Sequence, residues 1–147
     1  MNGHGEDILV FLDAAITARE TTARSACHES SGQWTANDYG HSYSVKDDND
    51  DVVVYNEGAP SMPQADHIAL NDPASVLRRC AADRKLLASH QPTEGIGFDP
   101  DDDTPGTYGE IASACSSCGT VDEYAVRFPC HVVRLLAEGY GWTEGER

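Results

Sequence analysis

The chain has 147 residues, a length that suits one domain spanning 1–147. Its 10 basic and 25 acidic residues give a formal net charge of −15. That balance argues against nonspecific nucleic-acid binding, where Lys and Arg on phosphates supply most of the affinity, and against docking on anionic membranes. Hydrophobic residues make up 39% and aromatics 7%, so a core is affordable but would gain from a staple such as a metal.

The plain reading of the acidity is a solvated surface; beyond it stand a basic protein partner and mimicry of DNA. Residues 1–7 carry no basic segment of the kind that opens a secretion signal. The apolar run over 8–12 is too short for a signal core. No stretch approaches the roughly 20 apolar residues of a membrane helix. The expectation is therefore a cytoplasmic protein, where paired cysteines more often mean metal or redox chemistry than disulfides.

Residues 6–27 read as an amphipathic helix, with Ile8, Phe11, Leu12, Ala15, Ile16, Ala23 and Cys27 at helical steps along one face. Glu6 and Asp7 sit in the first turn, where the helix dipole favours negative charge. Gly32 marks the exit. Over 33–57 a hairpin is expected, with room for a third short strand. Val52, Val53, Val54 and Tyr55 form its best strand, Asn56, Glu57 and Gly58 end it, and the Asp-rich run 47–51 supplies the turn. Trp34 is the residue expected to pack this hairpin on the first helix.

Residues 63–90 hold a short helix with His67 and Ile68, then a longer one. Asp72 is a natural N-cap for the second and Pro73 suits its first position. Its buried face is expected to carry Val76, Leu77, Cys80, Ala81 and Leu87, with Arg84 breaking the stripe. Residues 91–109 contain four glycines, three prolines and the acidic run 99–103, and read as a flexible acidic loop. Asp99, Asp101, Asp103 and Glu110 fall on ligand positions of a calcium-loop template. Thr104 and Gly106 stand where that template wants glycine and an apolar residue, so the loop reads as solvated.

The knuckle and last helix occupy 115–140. A short strand is expected over 123–128, from the alternation of Tyr124, Val126 and Phe128. In the helix, Val132, Val133, Leu136 and Tyr140 share one face, while His131, Arg134 and Glu138 share the other.

The sharpest chemical signal is Cys115-Ser116-Ser117-Cys118-Gly119 followed by Pro129-Cys130. Zinc takes four ligands in tetrahedral geometry, and a CxxC puts two thiolates on one tight turn. Gly119 supplies the permissive backbone behind the second thiol. Cys130 opens a helix, where the dipole favours a thiolate. His90, closing its helix just before the loop, is the favoured fourth ligand, with His131 and Cys80 as rivals. Structural zinc is the first reading of this set, free thiols the second and a redox CxxC the last, since no βαβ thioredoxin pattern surrounds it. Four protein ligands would close the site and make the zinc structural. Ser116, Ser117 and the histidines invite thoughts of nucleophilic catalysis. No nucleophile elbow, phosphate loop or HExxH supports them, so no enzyme is expected.

Three blocks occur in order: Asp7-Ile8-Leu9-Val10-Phe11-Leu12; His67-Ile68-Ala69 with Asp72-Pro73 and Val76-Leu77-Arg78; and Pro129-Cys130 with Arg134-Leu135-Leu136-Ala137. Together they resemble an uncharacterised family of short actinobacterial and actinobacteriophage proteins, in which a CxxC is common, as at Cys115 and Cys118. The resemblance places a histidine at position 90 and implies no activity. It leaves the hairpin and the acidic loop unmatched, and the tail from Glu138 to Trp142 departs from it.

The expectation is thus an α+β domain with three main helices, a small antiparallel hairpin or sheet and a zinc knuckle. Its expected role is that of a cytoplasmic, zinc-stapled, phage- or prophage-related adaptor. Its partner would be a protein, basic or itself nucleic-acid-binding. The alternative is an acidic DNA mimic that inhibits a host nucleic-acid enzyme.

Overall fold

Helix α1 covers Gly3–Cys27 and buries Ile8, Leu12, Ile16 and Ala23, the stripe that the apolar spacing expects. The structure is a computed structural model that describes residues 3–58, 60–98, 108–121 and 124–143. Beyond α1 the elements run β1 (Trp34–Asp38), β2 (Tyr43–Asp47), β3 (Val52–Val54), a 3-10 turn (Asn56–Gly58), α2 (Met62–Leu70), α3 (Pro73–Ser89), β4 (Pro92–Phe98), β5 (Tyr108–Cys115), β6 (Thr120–Val121), β7 (Tyr124–Ala125) and α4 (His131–Gly139). Helices beside small antiparallel sheets make this an α+β fold, as expected. No described helix is long and apolar enough to cross a membrane. The residues form two compact units, Thr17–Ala82 and Met1–Ile16 with Asp83–Arg147.

In the first unit, β1, β2 and β3 make an antiparallel sheet in that order. The Asp-rich run is a turn because Asp47 Oδ1 accepts the amide N–H groups of Asn49 and Asp51, at 3.0 and 2.9 Å. Val45, at the centre of β2, is fully buried. The helix that lies against β1 and β2 is α2. Trp34 is held there by its backbone: its N–H donates to Asp72 Oδ2, while Asp72 Oδ1 accepts from Ser75 N–H at the start of α3. Asp72 thus caps α3, as its position before Pro73 predicts. Of the face expected on α3, Cys80 is buried and Val76, Leu77 and Leu87 are half-buried, but Ala81 is exposed.

In the second unit, Ile8 and Leu12 of α1 share a core with Cys115, Phe128, Cys130, Val133 and Ala137. Phe11 packs on Trp142 with ring centroids 5.0 Å apart. Tyr140 Oη donates to Asp83 Oδ2 at 2.6 Å, and Arg84, which breaks the stripe of α3, pairs with Asp13 at 3.0 Å.

The flexible loop expected over 91–109 is corrected at both ends. Residues from Pro92 to Phe98 pair with Tyr108–Cys115 in antiparallel register, from Pro92 opposite Cys115 to Phe98 opposite Tyr108. Glycines suggested a loop, yet Gly97 and Gly109 stand directly opposite each other and the ladder runs through them. The acidic run 99–103, with most of the calcium template, lies outside the described residues. The strand expected over 123–128 is shorter: β7 pairs with β6, and Arg127 makes a single bridge to Ala114. Glu123 also lies outside the described residues.

Candidate metal centre

Three chain segments converge on one point. His90 follows the last turn of α3, its N–H donating to the carbonyls of Leu86 and Leu87. Cys115 ends β5, and Cys118 follows on the turn that leaves it. Gly119 has φ +66, a left-handed conformation that costs a residue with a Cβ about 1 kcal/mol or more. Cys130 is the N-cap of α4, directly after the cis Phe128–Pro129 bond.

The four ligand atoms lie within 4.8 Å of one another, a group that could hold a metal ion. His90 Nδ1 is 3.3 Å from Cys115 Sγ and 3.5 Å from both Cys118 Sγ and Cys130 Sγ. Cys115 and Cys130 are buried, while Cys118 and His90 are half-buried. Of the rivals for the fourth position, Cys80 is buried in the Thr17–Ala82 unit and His131 is exposed on α4; neither joins the group.

The thiols are electrostatically unequal. Burial works to raise Cys115, but amide donation from Ser117, contact with His90 and donation from Cys118 outweigh it and bring the thiol down to about 7. Burial pushes Cys118 up to about 12, with the Cys115 and Cys130 sulfurs adding to the rise. Beside the other two sulfurs, Cys118 does not ionise unaided at neutral pH. A cation at their centre removes that conflict, since a coordinating thiol is deprotonated outright.

Ser116 has a role that its sequence context did not suggest. Its Oγ donates to Ser89 O at 2.9 Å and accepts from Gln91 N–H at 3.0 Å, and its own N–H donates to Gln91 O. The residues on either side of His90 are thereby strapped to the residue after Cys115. Cys115 N–H donates to Val126 O at 2.7 Å, which fixes the knuckle from its other side.

A family model described as a family of unknown function (DUF6221) matches residues 5–141. No curated protein and no solved structure matches the chain.

Proposed function

The chain belongs to DUF6221, a family of unknown function, and from its own residues we propose a zinc-stapled, acidic protein-binding module. The single observation that carries the metal is the His90 and three-cysteine group. Tetrahedral zinc with Zn–S near 2.3 Å and Zn–N near 2.0 Å sets nitrogen–sulfur edges of about 3.5 Å. The edges from His90 Nδ1 measure 3.3, 3.5 and 3.5 Å. Soft thiolates with one imidazole favour zinc over the hard cations that carboxylates hold.

Four protein donors complete a tetrahedron and leave no position for substrate, which supports a structural ion and a non-enzymatic role. The net charge of −15 supports a basic protein as partner. The resemblance noted above supports a prophage-related setting for such an adaptor.

Metal analysis of the purified protein tests this reading. About one zinc per chain, lost on Cys118→Ser, is expected. Metal-free protein that is fully folded would overturn the staple. Turnover in a broad hydrolase and transferase screen would overturn the non-enzymatic role.

A further inference from the structure

The β1–β3 sheet has one covered face and one open face. Helix α2 lies against β1 and β2, and Val45 is fully buried. Strand alternation sends Ser44 and Lys46 to the opposite side. There the β2–β3 register shifts between Val45 and Lys46, so that Val52 and Val53 both stand across from Lys46. That shift explains why two successive valines of one strand are 36% and 37% exposed. Tyr39 and Tyr55 are more open still, at 56% and 62%.

These side chains enclose something. Tyr39, Ser44, Lys46, Val52, Tyr55 and Asn56 line a cleft of about 200 Å³. Ser44 is 4% exposed, and its Oγ is buried with no hydrogen-bond partner. An unmet buried hydroxyl costs on the order of 1–3 kcal/mol, so a ligand group that completes it recovers that penalty.

We propose that this open face docks an extended basic peptide segment of a partner protein, with an arginine side chain entering the cleft over Ser44. The proposal rests on the protein-binding reading above and gives it a surface. Charge selects the sign of the partner. Asp47, Asp48, Asp50 and Asp51 stand in the run between Lys46 and Val52, two of the residues that line the cleft. Lys46 is the one cation among the described residues that line the cleft, and its Nζ is already held by Asp50 Oδ1 at 2.8 Å. The Asp50 side chain is 82% exposed, which leaves its carboxylate open to a second donor.

A guanidinium suits what remains. Its planar donors fit the Ser44 and Asn56 oxygens, and its face stacks on a tyrosine ring. Strand β3 ends the sheet order, so an extended segment can run along it while its side chains reach the cleft. A second copy of this chain is a poor occupant, because it would bring −15 against −15.

The probe is a capped peptide of alternating arginine and valine, titrated onto the full zinc-loaded chain by fluorescence anisotropy. Controls are a glutamate–valine peptide and an arginine–proline peptide that cannot extend a sheet. Saturable binding of the first alone is expected. Tyr55→Ala should weaken it about tenfold, as loss of an aromatic anchor does. Asp50→Asn should weaken it about threefold. Asparagine tolerates the φ of +67 at that position, so the turn is kept. Lys46→Met should tighten it, because the one repelling charge is gone.

No saturable binding of the arginine–valine peptide overturns the proposal. So does equal binding of the proline peptide with no response to the variants, which marks bulk charge attraction. Weakening by Lys46→Met would mean that the cleft takes an anion. Self-association abolished by Tyr55→Ala would mean that it takes a second copy. Zinc is measured on the same samples: lost docking with full zinc sinks the docking surface alone, and lost zinc sinks the staple.

Discussion

Single residues at the end of α1 show how backbone conformation decides the sign of a substitution. His28 holds φ +51 and Gly32 holds φ +81, both left-handed. Only glycine adopts that region without cost, so His28→Gly should stabilise by about 0.5–1 kcal/mol. At Gly32 the same reasoning runs the other way. A Cβ there would lie 2.6 Å from Cys27 Sγ and 3.0 Å from Pro73 Cβ. Gly32→Ala should therefore destabilise by about 1–3 kcal/mol, from strained φ plus overpacking. Urea denaturation of the two variants beside wild type checks both signs, and shifts in the same direction would refute the account. Asp72 adds a pH dependence. Burial opposes its charge, but the Ser75 hydroxyl and amide, the Trp34 amide and Arg78 outweigh burial and hold its carboxyl below the ordinary 3.8. A depressed folded value means that its contribution is present above the ordinary value and is lost as pH falls through the lower one. Asp72→Ala should cost about 1–2 kcal/mol at pH 7. The gap to wild type should shrink as pH falls below the ordinary 3.8, and a gap that stays constant would contradict the assignment.

At the scale of elements, legibility tracked how local the determinant is. Helices α1 and α4 could be read because each carries its own apolar stripe, and burial falls where the spacing puts it. The four clustered residues could be read from a CxxC, a helix-opening cysteine and a helix-closing histidine, all local signatures. The β4–β5 pair could not, because its order comes from pairing across the chain. Its glycines lower strand propensity, while register is set at the Pro92–Cys115 end, where the knuckle is anchored. The β2–β3 register shift was equally hidden, since Val52 and Val53 read as an ordinary strand until their partner is known. Ser116 belongs with these non-local features. Removing its hydroxyl breaks two bonds that strap the residues beside His90 to the knuckle. Ser116→Ala should cost about 1–2 kcal/mol while leaving the four clustered side chains in place. The expected readout is faster zinc release to a chromogenic chelator with unchanged stoichiometry. An unchanged release rate would show that the strap does not hold the site.

At the scale of the whole molecule, the group that could hold a metal ion and the hydrophobic core of its unit share residues. Cys115 and Cys130, at 4% and 1% exposure, are members of the core that also holds Ile8, Leu12, Phe128, Val133 and Ala137. Without an ion those sulfurs remain apolar filling, but the turn of Cys118 and the start of α4 lose the bonds that join them to the end of α3. Because metal-binding energy is folding energy when the site forms only in the folded chain, chelation should loosen this unit first. The Thr17–Ala82 sheet is built on separate contacts, with Val45 and Ala65 buried and Asp72 as its polar anchor. Hydrogen exchange with and without a strong chelator tests the division. Amides of β5 and α4 should lose protection, whereas those of β1 and β2 should change little. Uniform loss would mean that the staple supports the entire chain, and no loss anywhere would mean that the thiol group holds nothing together.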